Sequence, residues 1–427
     1  MKYTLHIFGK SACCLICLGL TLLTACTEEN LPPQCKIVQP ANNSYYYIGD
    51  TIPISAEVSD PEAMITYVNF FTDGRNIDYI KEPPFETQWF TNDLEPGEYI
   101  LNATVEDGFN ERMNDAMKVV LYNNAPPEPS MLYSHNIGFA PFCLVLQDVS
   151  SNRPDLSTWY FSDDEQLVGA VVEKTFNEPG TYSVRLESKN RFGSSELVIE
   201  DIVTVEDNGN PCPGTPTVTD IDGNVYPTVQ IGDQCWMKTN LRVTHFPNGD
   251  EIRKESQKYY WEKLAFGEMS LLYCNYENNP VLGYGYLYSL LAANADNWTR
   301  DNNDKQGICP DGWHLPQKSE WETLVETVEG ISGSLGDVSE MLRSEYGWSE
   351  NSPGNNVSGF NALPGGRRGF QGKFMNQSEG YWWFAHDVNY QYPSAEYSFT
   401  IPIRGEHFFV FSQRNYGLSV RCVKDSE

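Results

Sequence analysis

Beyond His6, five histidines are the first residues to weigh for chemistry: His135, His245, His314, His386 and His407. A zinc hydrolase places two histidines on one helix face with a glutamate between them, as in HExxH. None of the five has that spacing, and no G-x-S-x-G nucleophile elbow occurs. His314, between Trp313 and Leu315, reads as a structural hydrogen-bonding residue. The 58 Asp and Glu include no pair that stands out as the two carboxylates of a glycosidase. Asp220 and Asp222 would suit a Ca²⁺ loop, but the twelfth position of such a loop is Ile231, so a hairpin turn is the better reading. Binding chemistry is better represented, in Tyr381, Trp382, Trp383 and Phe384, in Trp298 within an Asp/Asn-rich loop, and in Arg367 and Arg368. Aromatic faces stack on sugar rings, flanking amides and carboxylates satisfy hydroxyls, and arginine forks onto a carboxylate. Each aromatic also fits a core position, and strand alternation would send one of Trp382 and Trp383 inward. The expectation is a binding protein rather than an enzyme, with no metal and no cofactor.

These residues belong to a chain of 427 residues with 29 Lys+Arg against 58 Asp+Glu, a formal charge of -29. Such an acid excess, with no basic stripe, repels phosphate backbones and excludes nucleic acid as a partner. The length suggests about three domains of roughly 100 to 200 residues. With 40% hydrophobic and 13% aromatic residues the chain can bury cores throughout. The acidity is uneven: residues 26–215 carry 31 acids against 10 bases, and residues 216–427 carry 27 against 17. Eight of the ten Trp lie in the second half.

Lys2 and Lys10 precede an uncharged, mainly apolar stretch at 11–25, the layout of a secretory signal and short for a bilayer span. Leu23, Thr24, Ala25 and Cys26 resemble the bacterial lipobox, which implies cleavage after residue 25 and lipidation of Cys26. Thr27, Glu28, Glu29 and Asn30 are similar to the acidic export signal of Bacteroidetes surface lipoproteins. The implied location is the outer membrane, lipid-anchored and surface-exposed, with the membrane as a partner through Cys26. Seven cysteines then remain, Cys35, Cys143, Cys212, Cys235, Cys274, Cys309 and Cys422, an odd number with no CxxC pair. Disulfides in an oxidising compartment are the favoured use of some of them. Cys143, within an apolar strand run, reads as a buried free thiol.

Between residues 36 and 205 short runs alternate apolar and polar positions, as at Ile52, Ile54, Ala56 and Val58. Glu95, Pro96, Gly97, Glu98, Tyr99 recurs as Glu178, Pro179, Gly180, Thr181, Tyr182, each time a turn followed by a strand (99–105 and 182–188). The placement of each Tyr resembles the tyrosine corner of immunoglobulin-like sandwiches, so two sandwiches are expected. The first, 36–123, resembles bacterial Ig-like domains. The second, 127–206, resembles the PKD domain, its W-x-F-G-D-G signature degraded to Trp159, Tyr160, Phe161, Ser162, Asp163, Asp164. Pro126, Pro127 and Pro129 form one semi-rigid joint, and residues 207–216 form the next. Such sandwiches act as spacers.

In the last part, 217–425, a hairpin turning at residues 222–224 and a short helix at 290–293 are expected. An amphipathic helix follows from Trp321, Leu324, Val325 and Val328, with Gly330 as its C-cap. The ordered blocks DIDGNVY, IGDQCWM, GYGYLY, CPDGWHLP, GFNALPGG and GLSVRC resemble the Fibrobacter succinogenes major paralogous domain. That family is related to C-type-lectin-like and formylglycine-generating, sulfatase-modifying folds, which implies a compact α+β module whose terminal strands meet. The same resemblance implies a Cys309–Cys422 disulfide, closing a loop of about 110 residues and stabilising by roughly 4 to 5 kcal/mol in the chain-entropy model. Cys212 and Cys235 flank the first hairpin and suit a second bond. Sulfatase-modifying relatives use a close pair of cysteines near the C-terminus, yet none lies between Gly405 and Ser419. The Glu-Pro-Asn and Trp-Asn-Asp Ca²⁺ motifs of sugar-binding lectins are also missing.

The expected molecule is therefore multidomain: linker 26–35, two all-β immunoglobulin-like sandwiches, and a C-type-lectin-like or sulfatase-modifying-factor-like α+β module. The module is expected to bind an extracellular ligand, a glycan or a protein. A structural envelope lipoprotein without a ligand is the alternative, and a sulfatase-modifying-type enzyme is the third.

Overall fold

The structure is a computed structural model that describes residues 30–61, 64–264, 271–295, 306–332, 337–349, 351–385, 396–402, 408–413 and 415–426. Two compact units result, Met1–Asn124 and Ala125–Glu427. The division falls between Asn124 and Ala125, next to Pro126 and Pro127.

The first unit is a β-sandwich. A three-stranded sheet joins Gln34–Gln39, Thr51–Ser59 and Glu86–Phe90; a five-stranded sheet runs in the order Ser44–Tyr47, Arg112–Tyr122, Gly97–Asp107, Ile65–Thr72, Arg75–Ile80. The period-two pattern sends Ile52, Ile54, Val68, Phe70, Leu101, Ala103, Val105, Val119 and Leu121 into one core between the sheets. Tyr99 Oη donates to the Glu95 carbonyl at 2.7 Å, closing the expected tyrosine corner.

The second unit begins with another sandwich. Its five-stranded sheet is ordered Ile137–Phe139, Gly193–Glu206, Gly180–Asn190, Leu156–Phe161, Gln166–Val168, and its three-stranded sheet Val171–Phe176, Phe142–Asp148, Met131–Tyr133. Tyr182 Oη repeats the corner on the Glu178 carbonyl at 2.8 Å. The degraded turn still closes because Asp164 takes the left-handed conformation (φ 66°), which Asp tolerates better than most side chains. Lys174 Nζ ties the turn with Asp163 at 2.7 Å and Glu165 at 2.5 Å.

The last part of the same unit mixes short strands with four described helices: α1 Lys258–Leu264, α2 Leu290–Ala293, α3 Lys318–Ser332 and α4 Val338–Leu342. The terminal strands do meet, since Gln234–Met237 pairs with Val423–Lys424 through Trp236 and Val423. The hairpin turn also stands: the Asp220 carboxylate accepts from the Asp222, Asn224 and Tyr226 donors at 2.6–3.0 Å. Helix α3 buries Trp321, Leu324 and Val328 as its period requires, and Glu320 accepts from the Gln317 amide at 2.8 Å, half of a capping box. The helix continues through Gly330 to Ser332, so Gly330 is not its cap.

The segment 207–216 is no free joint. Asn208 and Asn210 donate to the Thr228 and Gln230 carbonyls at 3.0 and 2.9 Å, and Cys212 is bonded to Cys235. These bonds make the segment part of the module that follows. The second expected disulfide, Cys309–Cys422, is also present, while Cys35, Cys143 and Cys274 are free thiols.

Candidate functional site

The residues singled out for stacking lie mostly inside. Trp382 and Trp383 are fully buried, and Tyr381 and Phe384 nearly so. Alternation does turn the two tryptophans to opposite faces, but both faces are covered. Trp383 belongs to the cluster around Tyr288, Leu418 and Val420, and Trp382 to the one around Trp236, Trp321 and Phe399. Each indole N–H is satisfied internally, Trp382 by Asn240 Oδ1 at 2.8 Å and Trp383 by the Tyr288 carbonyl at 2.7 Å. They present no stacking face, because a small module with two core layers needs its largest apolar side chains within.

Arg368 is likewise buried. Its guanidinium donates to the Gly372, Glu255 and Ser256 carbonyls at 3.0–3.2 Å and lies over the Trp261 and Phe374 rings. Arg367 alone of these keeps some exposure, over the Tyr381 ring at 4.5 Å. Cys26, Trp298, His386 and His407 lie outside the described residues.

What the chain brings together instead is a cleft where the second sandwich meets the last module. From the sandwich come His135, Phe139, Phe142, Cys143 and Glu173; from the module come Asn240, Arg242, Tyr284, Tyr286, Tyr346 and Asn361. Its volume is about 70 Å³. Two glycines of the GYGYLY block allow this approach. Gly283 (φ 66°) passes so close that a Cβ would lie 2.7 Å from Ser134, and Gly285 (φ 77°) would strike Asn240 at 2.8 Å.

Three contacts close the two bodies on each other. The His135 ring stacks on Tyr346 with centroids 5.1 Å apart and planes at 20°. Arg242 reaches Cys143 Sγ at 3.3 Å and Glu173 at 3.6 Å. Lys238, itself buried, places its ammonium 3.4 Å from the Phe139 ring centroid and donates to the Asn208 carbonyl at 2.9 Å. Burial lowers the Lys238 ammonium to about 8.

Behind the cleft, Arg421 of the GLSVRC block is fully buried with no carboxylate among its hydrogen-bond partners in the described residues. It donates to Asn240 Oδ1 at 2.8 and 3.2 Å and to the Phe360 and Asn361 carbonyls. Burial lowers it to about 9, which leaves it charged at neutral pH. Asn240 is the hub: its Oδ1 also takes the Trp382 indole, and its Nδ2 donates to the Tyr284 carbonyl at 2.8 Å.

Asn361 is 2% exposed, and its Nδ2 donates to Tyr346 Oη at 3.1 Å, but its Oδ1, like His135 Nδ1, has no hydrogen-bond partner among the described residues. Burial holds His135 down at about 4, so the ring is neutral, and holds the Cys143 thiol up, so it stays protonated. The lining therefore offers aromatic faces and neutral polar groups. A second depression, of about 240 Å³, beside Cys309 includes Asp220 and Asp311. Both carboxylates are already engaged there, Asp220 by the hairpin turn and Asp311 by Gln306 at 3.1 Å.

None of the cleft residues was expected from the sequence to bind anything. The signal available was the clustering of Tyr284, Tyr286, Asn361 and Arg421 in the family blocks, which by themselves distinguish neither ligand contact nor scaffolding.

The paired tyrosine corners, the two disulfides and the domain order define a multidomain extracellular or cell-surface protein. The chain carries, in order, a bacterial Ig domain (residues 33–103), a PKD domain (140–205) and a Fibrobacter succinogenes major domain (229–424). No curated protein matches the chain. Similar solved structures include fibronectin(III)-like modules of Clostridium thermocellum CbhA, with 24% identity over 21% of this chain and 98% of that one and a TM-score of 0.20. The ectodomain of mouse nectin-like molecule 4 is 13% identical over 43% of this chain and 67% of that one, with a TM-score of 0.26. Amphioxus IgVJ-C2 is 14% identical over 37% and 98%, with a TM-score of 0.19.

Proposed function

We propose that this is a lipid-anchored protein of the outer membrane surface. Its second unit binds an extracellular, hydroxyl-bearing ligand, with a glycan as the best chemical fit, and its first sandwich serves as spacer. The observation that carries the reading is the cleft, whose lining gathers Tyr284, Tyr286 and Tyr346 with Asn361 and His135, whose buried Oδ1 and Nδ1 have no hydrogen-bond partner among the described residues. Buried polar atoms without partners cost roughly 1 to 3 kcal/mol each, a deficit that a ligand hydroxyl relieves if the lining opens to admit it. The terminal module is read as lectin-like in fold and non-enzymatic in role. Cys26 supplies the anchor.

The test is a glycan array and an extracellular-protein array, both probed with the mature chain and with Tyr286→Ala and Asn361→Ala variants. A glycan signal that both substitutions abolish, while the thermal transition stays cooperative, supports the cleft. Silence on both arrays would favour a structural envelope lipoprotein, a reading that the wholly internal Trp382 and Trp383 also suit. For the anchor, Cys26→Ala is expected to move the protein from the detergent phase to the aqueous phase on phase separation, and unchanged partition would refute it.

A further inference from the structure

The first unit is polar along its long axis. The chain enters at one end, where Asn30 Nδ2 donates to Asp107 Oδ2 at 2.7 Å. It leaves from the other end, where Tyr122 pairs with Tyr47 and the Gly49 amide donates to Thr91 Oγ1 at 3.0 Å. The eleven-residue strand Arg112–Tyr122 connects the two ends, a separation of roughly 35 Å at about 3.3 Å per residue.

At the entry end three large apolar side chains are exposed together: Leu31 at 53%, Met64 at 61% and Phe109 at 63%. Their backbones are held as a group. Leu31 follows Asn30, which is fixed to Asp107. The Asp107 carboxylate also accepts from the Phe109 and Glu111 amides at 2.8 and 2.9 Å, and the Gly108 amide donates to the Met64 carbonyl at 2.8 Å. Scattered exposed apolar residues are ordinary on a folded surface, but here two of the three segments are tied to the Asp107 carboxylate and the third, at Met64, to the neighbouring Gly108 amide, which groups them as a patch.

From Cys26 to Asn30 is four residues, which span at most about 14 Å when fully extended. A lipid on Cys26 therefore holds this end of the unit within reach of the headgroup layer, whatever path the intervening residues take. We propose that the Leu31, Met64 and Phe109 end rests against the phospholipid surface that holds the Cys26 lipid, so that the first unit contacts the bilayer by its entry end. The inference rests on the lipid-anchor reading above and commits to the acyl surface of the lipid layer as the occupant. The acids of this end oppose an anionic one, although Glu106 is compensated by Arg112 at 2.5 Å and by Tyr67. The contact would make the tether directional, presenting the exit end of the unit away from the membrane.

Phe90, equally exposed at 63%, provides an internal control. It pairs with Thr51 beside Thr91, at the exit end. Acylated parent protein, Phe109→Trp and Phe90→Trp are reconstituted on phosphatidylcholine vesicles with and without brominated acyl chains, and tryptophan emission is compared with the parent. The added emission of Phe109→Trp is expected to fall by about half, as for a side chain within about 10 Å of the acyl boundary, while that of Phe90→Trp is unchanged. Co-sedimentation of the parent with no quenching at position 109, or equal quenching at 109 and 90, overturns the proposal alone. Failure of the parent to co-sediment overturns the anchor and the proposal with it.

Discussion

At the scale of single residues, the charged and aromatic side chains of the family blocks act as scaffold. Arg421 and Arg368 each gather loop carbonyls that would otherwise be buried without donors. Lysine offers a point charge instead of a fork, so Arg421→Lys is expected to cost at least about 2 kcal/mol in a urea titration. Trp382→Ala is expected to cost about 3 to 5 kcal/mol, the range for truncating a buried aromatic, and so reports on stability before it reports on any ligand. His314 is held between Asp425 Oδ1 at 2.6 Å and Glu320 at 3.0 Å, a structural role legible in its position between Trp313 and Leu315, although its partners were not. Burial lowers the imidazole, but the Glu320 and Asp425 carboxylates outweigh burial and hold it above the ordinary 6.5. A raised folded-state pKa means that the stabilisation is complete below the unfolded value and fades as pH rises through the folded one. His314→Gln is therefore expected to lose roughly 1 kcal/mol near pH 6, with a smaller loss near pH 9; a loss that does not change with pH would contradict the clamp.

At the scale of elements, the strands and the long helix follow from periodicity alone, and the repeated Glu-Pro-Gly-x-Tyr turn placed both tyrosine corners correctly. Register across the last module did not follow, because its strands run only two to seven residues and pair across wide sequence gaps. Disulfides substitute for long ladders there. The Cys309–Cys422 link closes 113 residues and Cys212–Cys235 closes 23, so the chain-entropy model gives about 4.8 and 3.4 kcal/mol. Paired Cys→Ala variants should therefore both lower the unfolding temperature, with the 309/422 variant falling further. A non-reduced peptide map should show both linked peptides.

At the scale of the whole molecule, the chain divides once, after Asn124, and not again at residues 207–216. Limited proteolysis of the mature protein is expected to cut near residues 123–128 and release a stable fragment beginning there. A first cut inside 207–216 would show that the hydrogen bonds of Asn208 and Asn210 do not hold that segment. By itself the sequence determined the domain order, both sandwiches and the acidic first half, since each is written in local period, composition or a contiguous motif, while the Cys309–Cys422 pairing was implied by the family resemblance. Only the tertiary structure decided that Trp382 and Trp383 are core, that 207–216 is stitched in place, and that His135 meets Tyr346 and Asn361 in one cleft. Burial and close approach depend on which faces other elements cover, and those elements lie up to some two hundred residues away along the chain.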